Sequence, residues 1–553
     1  MTNHLKNFNA DVIVIGAGAG GGAAAWRLTQ HGFKVMVLEA GPVFTPANDY
    51  KQTSEDWEKP FPKKSGSTGS YEVAELQDIG DLESELRSWN KLRGLYVQGS
   101  RRASFGYHHV RGVGGSSLHF TGEAHRLNPR SMKMKSLYDV GADWPMSYSD
   151  LDPYYQVAEN LVGVAGPVTD IRCPRSAEYP LPQHAYSYAA SVLENAAIKA
   201  GHSPQPNALA VLSEPYDNRP ACNYCGGCQR GCMPTDKGTI DVTYIRHAVR
   251  SQRCQVFPET EVLQIEVRNE RVTSVLVYHQ GERLRLSANW IILAAGAIQT
   301  PRLLLNSVNA QHPDGVANSS GQVGKNFMET LLTTVSAMHP DKQGSHRGLP
   351  VNWVSWTYNA PDAIPGVIGG CRFAPSMAES DLVGPVAYAT RVVPGWGAKH
   401  KLQMREQFGR VLSMTSIGES LPHTKSYIDL SGQVDAHGLP IPRIHSYLDD
   451  NALSRLRFMH TECNRILTAA GCDSPFETFS TADAFSSTHV FGTCRMGTDA
   501  RSSVCDSYGR AHDVKNLFVC DGSIFPSTGG GESPGLTIQA LAIRSADHIR
   551  TLS

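Results

Sequence analysis

The alternation of apolar and polar positions is clearest at the start of the chain, where it predicts a strand, a tight turn and a helix. The run 11–16 is apolar and β-branched and has the length of a buried strand. An alanine-rich stretch then predicts a helix that ends near Gly32, and 35–39 predicts a second strand. The order strand, helix, strand is typical of a parallel sheet that is covered by helices.

Two later apolar runs, 290–295 and 516–521, predict further buried strands. The stretch 51–100 is polar, and we interpret it as a loop that forms a lid, with a glycine- and serine-rich tip at 65–70. The region 330–480 predicts short strands alternating with long loops. Its tryptophans are interpreted as core residues rather than as a sugar-stacking surface.

Composition narrows the class of protein. A chain of 553 residues is too long for one simple core, so we expect at least two lobes. The formal net charge of −1 provides no basic face for nucleic acid and favours a small-molecule substrate. No apolar run has the length of a membrane span and no export signal is recognisable, so the sequence favours a cytoplasmic location.

The glycines after the first strand predict a dinucleotide site. Gly16 permits the tight turn, Gly18 lets the backbone approach a pyrophosphate, and Gly21 lets the helix pack on the strand. Glu39, at the end of the second strand, stands where a carboxylate binds the hydroxyls of an adenosine ribose. These features do not distinguish NAD from FAD.

A second loop rich in glycine and serine can present amides and hydroxyls to the same cofactor. It consists of Gly114, Gly115, Ser116 and Ser117.

Several ordered motifs together resemble the glucose–methanol–choline oxidoreductase family. They are the N-terminal glycines, GGSS at 114–117, DWP at 143–145, GAIQTP at 296–301, VGKNFME at 323–329, HVFGTCRMG at 489–497 and the segment 516–544. The resemblance implies an α/β fold, α+β overall, in which a Rossmann-like FAD-binding domain carries an inserted substrate domain built on an antiparallel sheet.

The resemblance also implies domain boundaries. The FAD-binding domain comprises 1–45, 95–170, 240–335 and 480–553. The substrate domain comprises 336–479 with parts of 46–94 and 171–215. A cysteine-rich loop occupies 216–239.

Roles in cofactor binding follow from the same resemblance. Asp521 is expected to contact the phosphate and ribitol of FAD, and the backbone of Val262 its adenine end. Thr537 is assigned to the cofactor site with them. His119 matches a histidine that some relatives bond covalently to the flavin, although a histidine that merely packs against the ring is an alternative.

For catalysis, His489 matches the base that removes the hydroxyl proton of an alcohol. Histidine suits this task because its usual pKa lies near neutrality. At the partner position, where most members have Asn or His, this chain has Ser533, which can orient the substrate but cannot act as a base. Glu532 could swing into the site as an auxiliary carboxylate, although a solvated or salt-bridged glutamate is the preferred interpretation.

Four of the twelve cysteines form a cluster: Cys222, Cys225, Cys228 and Cys232. Their spacing, C-x2-C-x2-C-x3-C, is that of ferredoxin loops and favours an iron–sulfur cluster over zinc. The resemblance to bacterial sugar dehydrogenases implies a 3Fe-4S or 4Fe-4S cluster, although a redox-silent loop is also an alternative. We interpret the other eight cysteines as ordinary buried thiols.

The sequence therefore predicts an FAD-dependent dehydrogenase that oxidises a sugar, a glycoside or a polyol and releases electrons through the cysteine loop. Glycoside 3-dehydrogenases and gluconate- or glucose-type dehydrogenases are the nearest candidates. The alternatives are an oxidase that produces hydrogen peroxide, a lyase with structural FAD, and a non-catalytic flavin-binding subunit. Analogy also suggests a small partner subunit with an export signal, which would carry the enzyme to the periplasm, and a cytochrome c or quinone acceptor.

Overall fold

A five-stranded parallel sheet forms the centre of the computed structural model, which describes residues 5, 7–50, 61–80, 85–86, 89–93, 95–96, 101–170, 172–376, 382 and 384–553. In spatial order its strands are Cys254–Phe257, Val35–Leu38, Val12–Ile15, Trp290–Leu293 and Leu517–Val519. Most of these residues are buried, which explains their continuous apolar runs, because helices cover both faces of such a sheet. The Rossmann-like arrangement expected from the sequence is confirmed.

The two ends of the chain meet on this sheet. The helix Gly535–Leu552 packs along the helix Ala19–Gln30. Asp547 connects them, because its carboxylate lies 2.6 Å from Nε of Arg27 and 2.6 Å from Nε2 of His31. The last strand and helix therefore complete a layer that the first fifty residues begin.

An eight-stranded antiparallel sheet forms the second lobe. In spatial order its strands are Leu95–Tyr96, Trp89–Asn90, Glu477–Ser480, Leu331–Met338, Val411–Gly418, Cys371–Pro375, Trp353–Ser355 and Pro204–Pro206. Its buried residues and those of two helices, Tyr188–Lys199 and Asp450–Ala469, share one core. The expected antiparallel sheet is confirmed. The domain boundaries given above stay a prediction.

The helix Asp450–Ala469 corrects the interpretation of 330–480 as strands and loops. Its buried side chains include Leu453, Leu456, Met459 and Cys463, which recur every three or four residues, the period of a helix. The carboxylate of Asp449 caps the first turn by accepting a hydrogen bond from the amide of Ala452. Both signals were present in the sequence.

Smaller elements complete the described chain. Two three-stranded sheets are formed by Thr260–Arg268, Arg271–His279 and Glu282–Leu286, and by Tyr427–Val434, Pro440–His445 and Glu72–Val73. Two strand pairs are Ala103–Tyr107 with Ala484–Ser487, and Ala165–Gly166 with Leu181–Pro182. The remaining α-helices of the described residues are Pro46–Asp49, Met134–Tyr138, Tyr148–Val162, Arg246–Arg250, Gly296–Asn306, Pro385–Ala387 and Gly397–Gln407.

The expectations for the tryptophans and the scattered cysteines agree with the structure only in part. Trp353 is fully buried, as expected of a core residue, whereas Trp396 is 90% exposed. Seven of the eight scattered cysteines are buried, and Cys472 is half-buried. Much of the expected lid, including 51–60 and 97–100, lies outside the described residues. Within the described part of the chain, no helix is long and apolar enough to span a membrane.

The glycines of the first turn permit close contact between backbone segments. A Cβ atom on Gly21 would lie 1.9 Å from the carbonyl oxygen of Gly16. Gly16 itself has φ +100°, in the region that favours glycine, and a Cβ there would lie 2.4 Å from the carbonyl oxygen of Ala294. The turn therefore tolerates no side chain at either position.

We expect Gly21→Ala to destabilise the protein far more than Gly32→Ala. Gly32 has φ +88° but faces open space, so an alanine there costs only about 1 kcal/mol of backbone strain. Alanine at Gly21 has no room, because the obstructing atom belongs to the backbone. Thermal melting of the two variants tests this expectation, and equal melting temperatures would contradict it.

Candidate active site

One large cavity, with a volume of about 1390 Å³, extends from the carboxyl ends of the parallel strands to the antiparallel sheet. This volume exceeds that of an ordinary small-molecule pocket. Among the residues proposed from the sequence, those that line it are Gly16, Gly18, Glu39, Gly115, Ser116, Ser117, His119, Val262, His489, Asp521 and Ser533. Gly21, Gly114 and Thr537 are not among the lining residues, and the hydroxyl of Thr537 lies 2.9 Å from that of Tyr155.

At one end of the cavity the two glycine loops touch each other. The amide of Gly114 donates to the carbonyl oxygen of Ala17 over 3.0 Å. A Cβ atom on Gly115 would lie only 2.8 Å from Cα of Gly18. The helix Ala19–Gln30 begins at this contact without a side-chain cap, so its first amides are available to an anion. The geometry suits a pyrophosphate.

Two buried carboxylates organise the backbone around the cofactor end of the cavity. Glu39 accepts hydrogen bonds from the amides of Ala17 and Gly41 over 2.8 and 2.9 Å, and burial raises the pKa of its carboxyl. Asp521 accepts from the amide of Gly296 and the hydroxyl of Thr300 over 2.9 and 2.6 Å. The segments that line the cavity are therefore held by side chains from distant parts of the sequence.

His119 faces the cavity as a neutral imidazole. Burial, and then the positive charge of Lys237, lower the pKa of its ring to about 3. Within the described chain, its Nε2 atom has no hydrogen-bond partner. A neutral ring with an unpartnered nitrogen has a lone pair or an N–H available to a bound group.

Lys237, fully buried, connects the segment of His119 to the cysteine loop. Its ammonium donates to the carbonyl oxygens of Leu118, Phe120 and Cys228 over 3.0, 2.9 and 2.6 Å. Three backbone carbonyls thus share one cation, which fixes the position of the cysteine loop relative to the cavity wall.

His489 is held through its backbone, and its ring is left free. The hydroxyl of Thr330 accepts from the amide of His489 over 2.9 Å, and both Thr330 and Ser487 donate to its carbonyl oxygen. No described residue forms a hydrogen bond with either ring nitrogen. Burial lowers the pKa of the ring to about 4, and Glu123 opposes this effect.

Ser533, which lines the same cavity as His489, forms a hydrogen bond with a carboxylate that the sequence motifs did not reveal. Its hydroxyl donates to Oε2 of Glu123 over 3.1 Å, and the same oxygen lies 2.6 Å from Nη2 of Arg372. Burial alone would raise the pKa of Glu123, but Arg372 and His125 outweigh it and lower the pKa to about 2. Glu123, Ser533 and His489 all line the cavity.

Glu532 does not line the cavity. Its Oε1 atom accepts from Arg172 over 2.6 Å, from Asn359 over 2.9 Å and from the amide of Asn128 over 3.2 Å. Glu532 therefore belongs to a buried ion pair with Arg172 and does not line the cavity, as expected of a salt-bridged glutamate rather than of an auxiliary carboxylate.

The four clustered cysteines are not arranged as metal ligands in this fold. No group of three or more His, Cys, Asp or Glu side chains in the described part of the chain is placed to hold a metal ion. The Cys232 thiol donates to Asp236 over 3.0 Å, and burial raises the pKa of both Cys222 and Cys228, the latter to about 11. Cys225 and Cys228 also raise the pKa of Cys222, so these three thiols lie within electrostatic range. As folded, the donor set does not fit a cluster.

Sequence reasoning missed Glu123, Arg372 and Lys237. Glu123 follows the second glycine loop closely, at the end of the run GGSSLHFTGE, and that position was the only local signal for it. Arg372 lies 249 residues further along the chain, and no spacing pattern links the two.

Comparison with known proteins identifies the family. Two family profiles described as GMC oxidoreductase match residues 111–331 and 422–542, which together are more than half of the chain. An NAD(P)-binding Rossmann-like profile matches residues 14–52. The chain belongs to the GMC oxidoreductase family, the glucose–methanol–choline family that the sequence motifs indicated.

Full-length relatives agree with this class. The fructose dehydrogenase large subunit of Gluconobacter japonicus is 29% identical, over 98% of each chain. The 2-methyl-1,2-propanediol dehydrogenase of Mycolicibacterium austroafricanum is 28% identical, over 98% of this chain and 95% of its own. The crystal structure of pyridoxine 4-oxidase from Mesorbium loti shares the fold, with a TM-score of 0.62 at 18% identity over 98% of this chain and 99% of that one. The protein is an oxidoreductase that acts on CH–OH groups.

Proposed function

We propose that this protein is an FAD-dependent dehydrogenase that oxidises a secondary or hemiacetal hydroxyl of a sugar, a glycoside or a polyol. The observation that carries the proposal is the shared cavity. Two touching glycine loops form one end of it, and its wall contains His489, whose ring nitrogens form no hydrogen bond with any described residue. A cofactor site and a candidate base therefore face the same space.

The residues present fit FAD. The first amides of the helix Ala19–Gln30 would hold the pyrophosphate, Glu39 the adenosine ribose, and the segments of His119 and Asp521 the flavin half. When bound, FAD accepts the hydride from the carbinol carbon.

The chain's own contribution is to take the hydroxyl proton. As the C–H bond breaks and a C=O bond forms, the oxygen must lose its proton, and a free nitrogen of His489 accepts it. The hydrogen bonds from Thr330 and Ser487 hold the backbone of His489 at the cavity. A pKa of about 4 keeps the base unprotonated at neutral pH.

We expect His489→Ala to slow the anaerobic bleaching of the flavin by substrate about 10²- to 10⁴-fold, because general base catalysis contributes that much. In the unaltered enzyme the rate should be constant between pH 6 and 8 and fall only as the pH approaches the pKa of about 4, where His489 becomes protonated. Stopped-flow absorbance under argon with a panel of sugars and polyols measures both effects.

His548→Ala serves as the matched control. His548 lies in the C-terminal helix, where its ring stacks on Tyr508, and it does not line the cavity. It should bleach at the original rate. Full activity of His489→Ala would contradict the assignment, and an absence of bleaching with every compound would favour the lyase with structural FAD.

We further propose the cysteine loop as an iron–sulfur site through which electrons leave for an external acceptor. What supports this is the ferredoxin spacing and the position of the loop, where Gln229 lines the cavity and Lys237 joins Cys228 to the segment of His119. The loop would have to rearrange on loading, because its described thiols are not arranged as metal ligands as folded. Thiolate sites commonly form only together with the metal.

Iron and acid-labile sulfide in the anaerobically purified protein test this proposal. We expect three or four iron atoms per flavin, and a Cys225→Ser variant that keeps its flavin but has less iron. The variant Cys472→Ser, at a half-buried cysteine outside the loop, should retain the iron. An iron-free protein that reduces oxygen to hydrogen peroxide at full rate would instead identify an oxidase.

His119 is proposed as the residue that bonds to the flavin covalently. Its neutral ring, its position in the lining of the cavity and an Nε2 atom without a hydrogen-bond partner among the described residues support this. We expect acid precipitation to leave the yellow colour with the protein, and His119→Ala to release it into the supernatant. Release of the flavin from the unaltered enzyme would show instead that His119 only packs against the ring.

The proposal also covers a partner subunit, the external electron acceptor and the location of the enzyme. The relative from Gluconobacter japonicus is named a large subunit, which suggests that this chain also has a smaller partner. Such a partner could supply an export signal and bring the enzyme to a cytochrome c or a quinone in the periplasm.

A further inference from the structure

We propose that Ser533, held by Glu123, accepts a hydrogen bond from a second hydroxyl of the substrate, next to the one that is oxidised. The site would then select vicinal diols and polyols over simple alcohols. This inference rests on the proposed function and specifies its substrate class. Ser533 becomes a substrate-binding residue and Glu123 the residue that positions it.

The carboxyl group of Glu123 is ionised. Its two oxygens lie 2.6 Å from Nη2 of Arg372 and 3.0 Å from Nδ2 of Asn207, and both of these partners can only donate. The carboxylate is only 5% exposed. It is nevertheless ionised, because the buried guanidinium of Arg372 lies beside it. An ionised carboxylate only accepts hydrogen bonds.

The hydroxyl of Ser533 uses its hydrogen in the bond to Glu123. Because Oε2 of Glu123 only accepts, the 3.1 Å hydrogen bond between them must use the single hydrogen of Ser533. Only the lone pairs of Oγ remain for a molecule in the cavity. Ser533 therefore acts toward the substrate as an acceptor, and it cannot donate to an oxygen that becomes negative.

Further hydrogen bonds hold Ser533 and Glu123 in place. The amide of Ser533 donates to Nδ1 of His125 over 3.1 Å, so that nitrogen carries no proton. The proton of His125 is then on Nε2, which lies 2.8 Å from Oδ1 of Asn207. Asn207 in turn donates to Glu123, which closes a ring of hydrogen bonds. The backbone and the side chain of Ser533 are both fixed by it.

The acceptors in the wall of the cavity match the hydroxyl donors of a polyol. The neutral ring of His489 accepts the proton of the hydroxyl that reacts, and Ser533 offers a second acceptor in the same cavity. Two acceptors are satisfied by two donors, and neighbouring hydroxyls on one carbon chain provide them at short range. A simple alcohol would leave the buried lone pairs of Ser533 without a partner, which costs binding energy.

Anaerobic stopped-flow mixing of the flavin-loaded enzyme tests the inference. The first panel is D-glucose, D-fructose, D-gluconate, methyl β-D-glucopyranoside and 1,2-propanediol. The compound that bleaches the flavin fastest is then compared with its analogues that lack one neighbouring hydroxyl. In the unaltered enzyme we expect the best polyol to bind about tenfold more tightly than its deoxy analogue, in proportion to one hydrogen bond.

The variants separate binding from folding. Ser533→Ala should weaken the binding of the polyol relative to that of its deoxy analogue about tenfold, so the preference disappears. Ser533→Thr keeps a hydroxyl and should retain the preference. Glu123→Gln should reduce it, because an amide can donate as well as accept and no longer fixes the hydroxyl. Ser527→Ala removes another buried hydroxyl of the same loop, one that bonds Trp144, and should retain the preference.

Each outcome decides a different question. If no compound bleaches the flavin, the proposed function fails and the inference fails with it. If the polyol bleaches it but the deoxy analogue binds equally well in the unaltered enzyme, the inference alone is overturned. This comparison needs no variant, so it holds even if Ser533→Ala does not fold. A preference that persists in folded Ser533→Ala also overturns the inference.

Discussion

The buried ion pair of Glu123 and Arg372 is the interaction on which the candidate site depends. Arg372 comes from the antiparallel sheet, Glu123 from the segment behind the second glycine loop, and Ser533 from the loop before the last helix. Nε of Arg372 also donates to the carbonyl oxygen of Gly531 over 2.7 Å. A guanidinium and a carboxylate buried together tolerate little separation, because each would be an isolated charge without the other. The pair therefore fixes three distant segments around one cavity.

Local patterns made much of the fold predictable. The strands at Val12–Ile15 and Trp290–Leu293 and the glycine turn between strand and helix are encoded by neighbouring residues, because a buried parallel strand must be apolar throughout. The helix Asp450–Ala469 was encoded as well, by the helical spacing of its apolar residues and by a cap. The short apolar groups within it resemble strands when each is considered alone, which is why the local pattern favours strands there.

The candidate site was less predictable. Motifs located the residues that approach the cofactor, because the tight turns of a phosphate-binding loop require glycine at fixed positions. The choice between Glu532 and Glu123 depended on long-range contacts instead. Glu532 is beside Ser533 in sequence, yet Arg172 engages it, while Glu123 reaches Ser533 from 410 residues away. Neighbouring residues of a loop can face different surroundings, so proximity in sequence does not identify the carboxylate that contacts Ser533.

Burial makes opposing demands on a histidine base. It lowers the pKa of His489, which keeps the ring unprotonated but weakens it as a base. The negative charge of Glu123 opposes this by stabilising the protonated ring, whereas Arg372 partly cancels the benefit. Because Glu123 and Arg372 are nearly neutral as a pair, their field at His489 depends on which member is nearer to the ring. The same carboxylate that fixes the hydrogen of Ser533 thus also tunes the proton affinity of the base, so the binding of a second hydroxyl and the removal of the first proton share one buried charge.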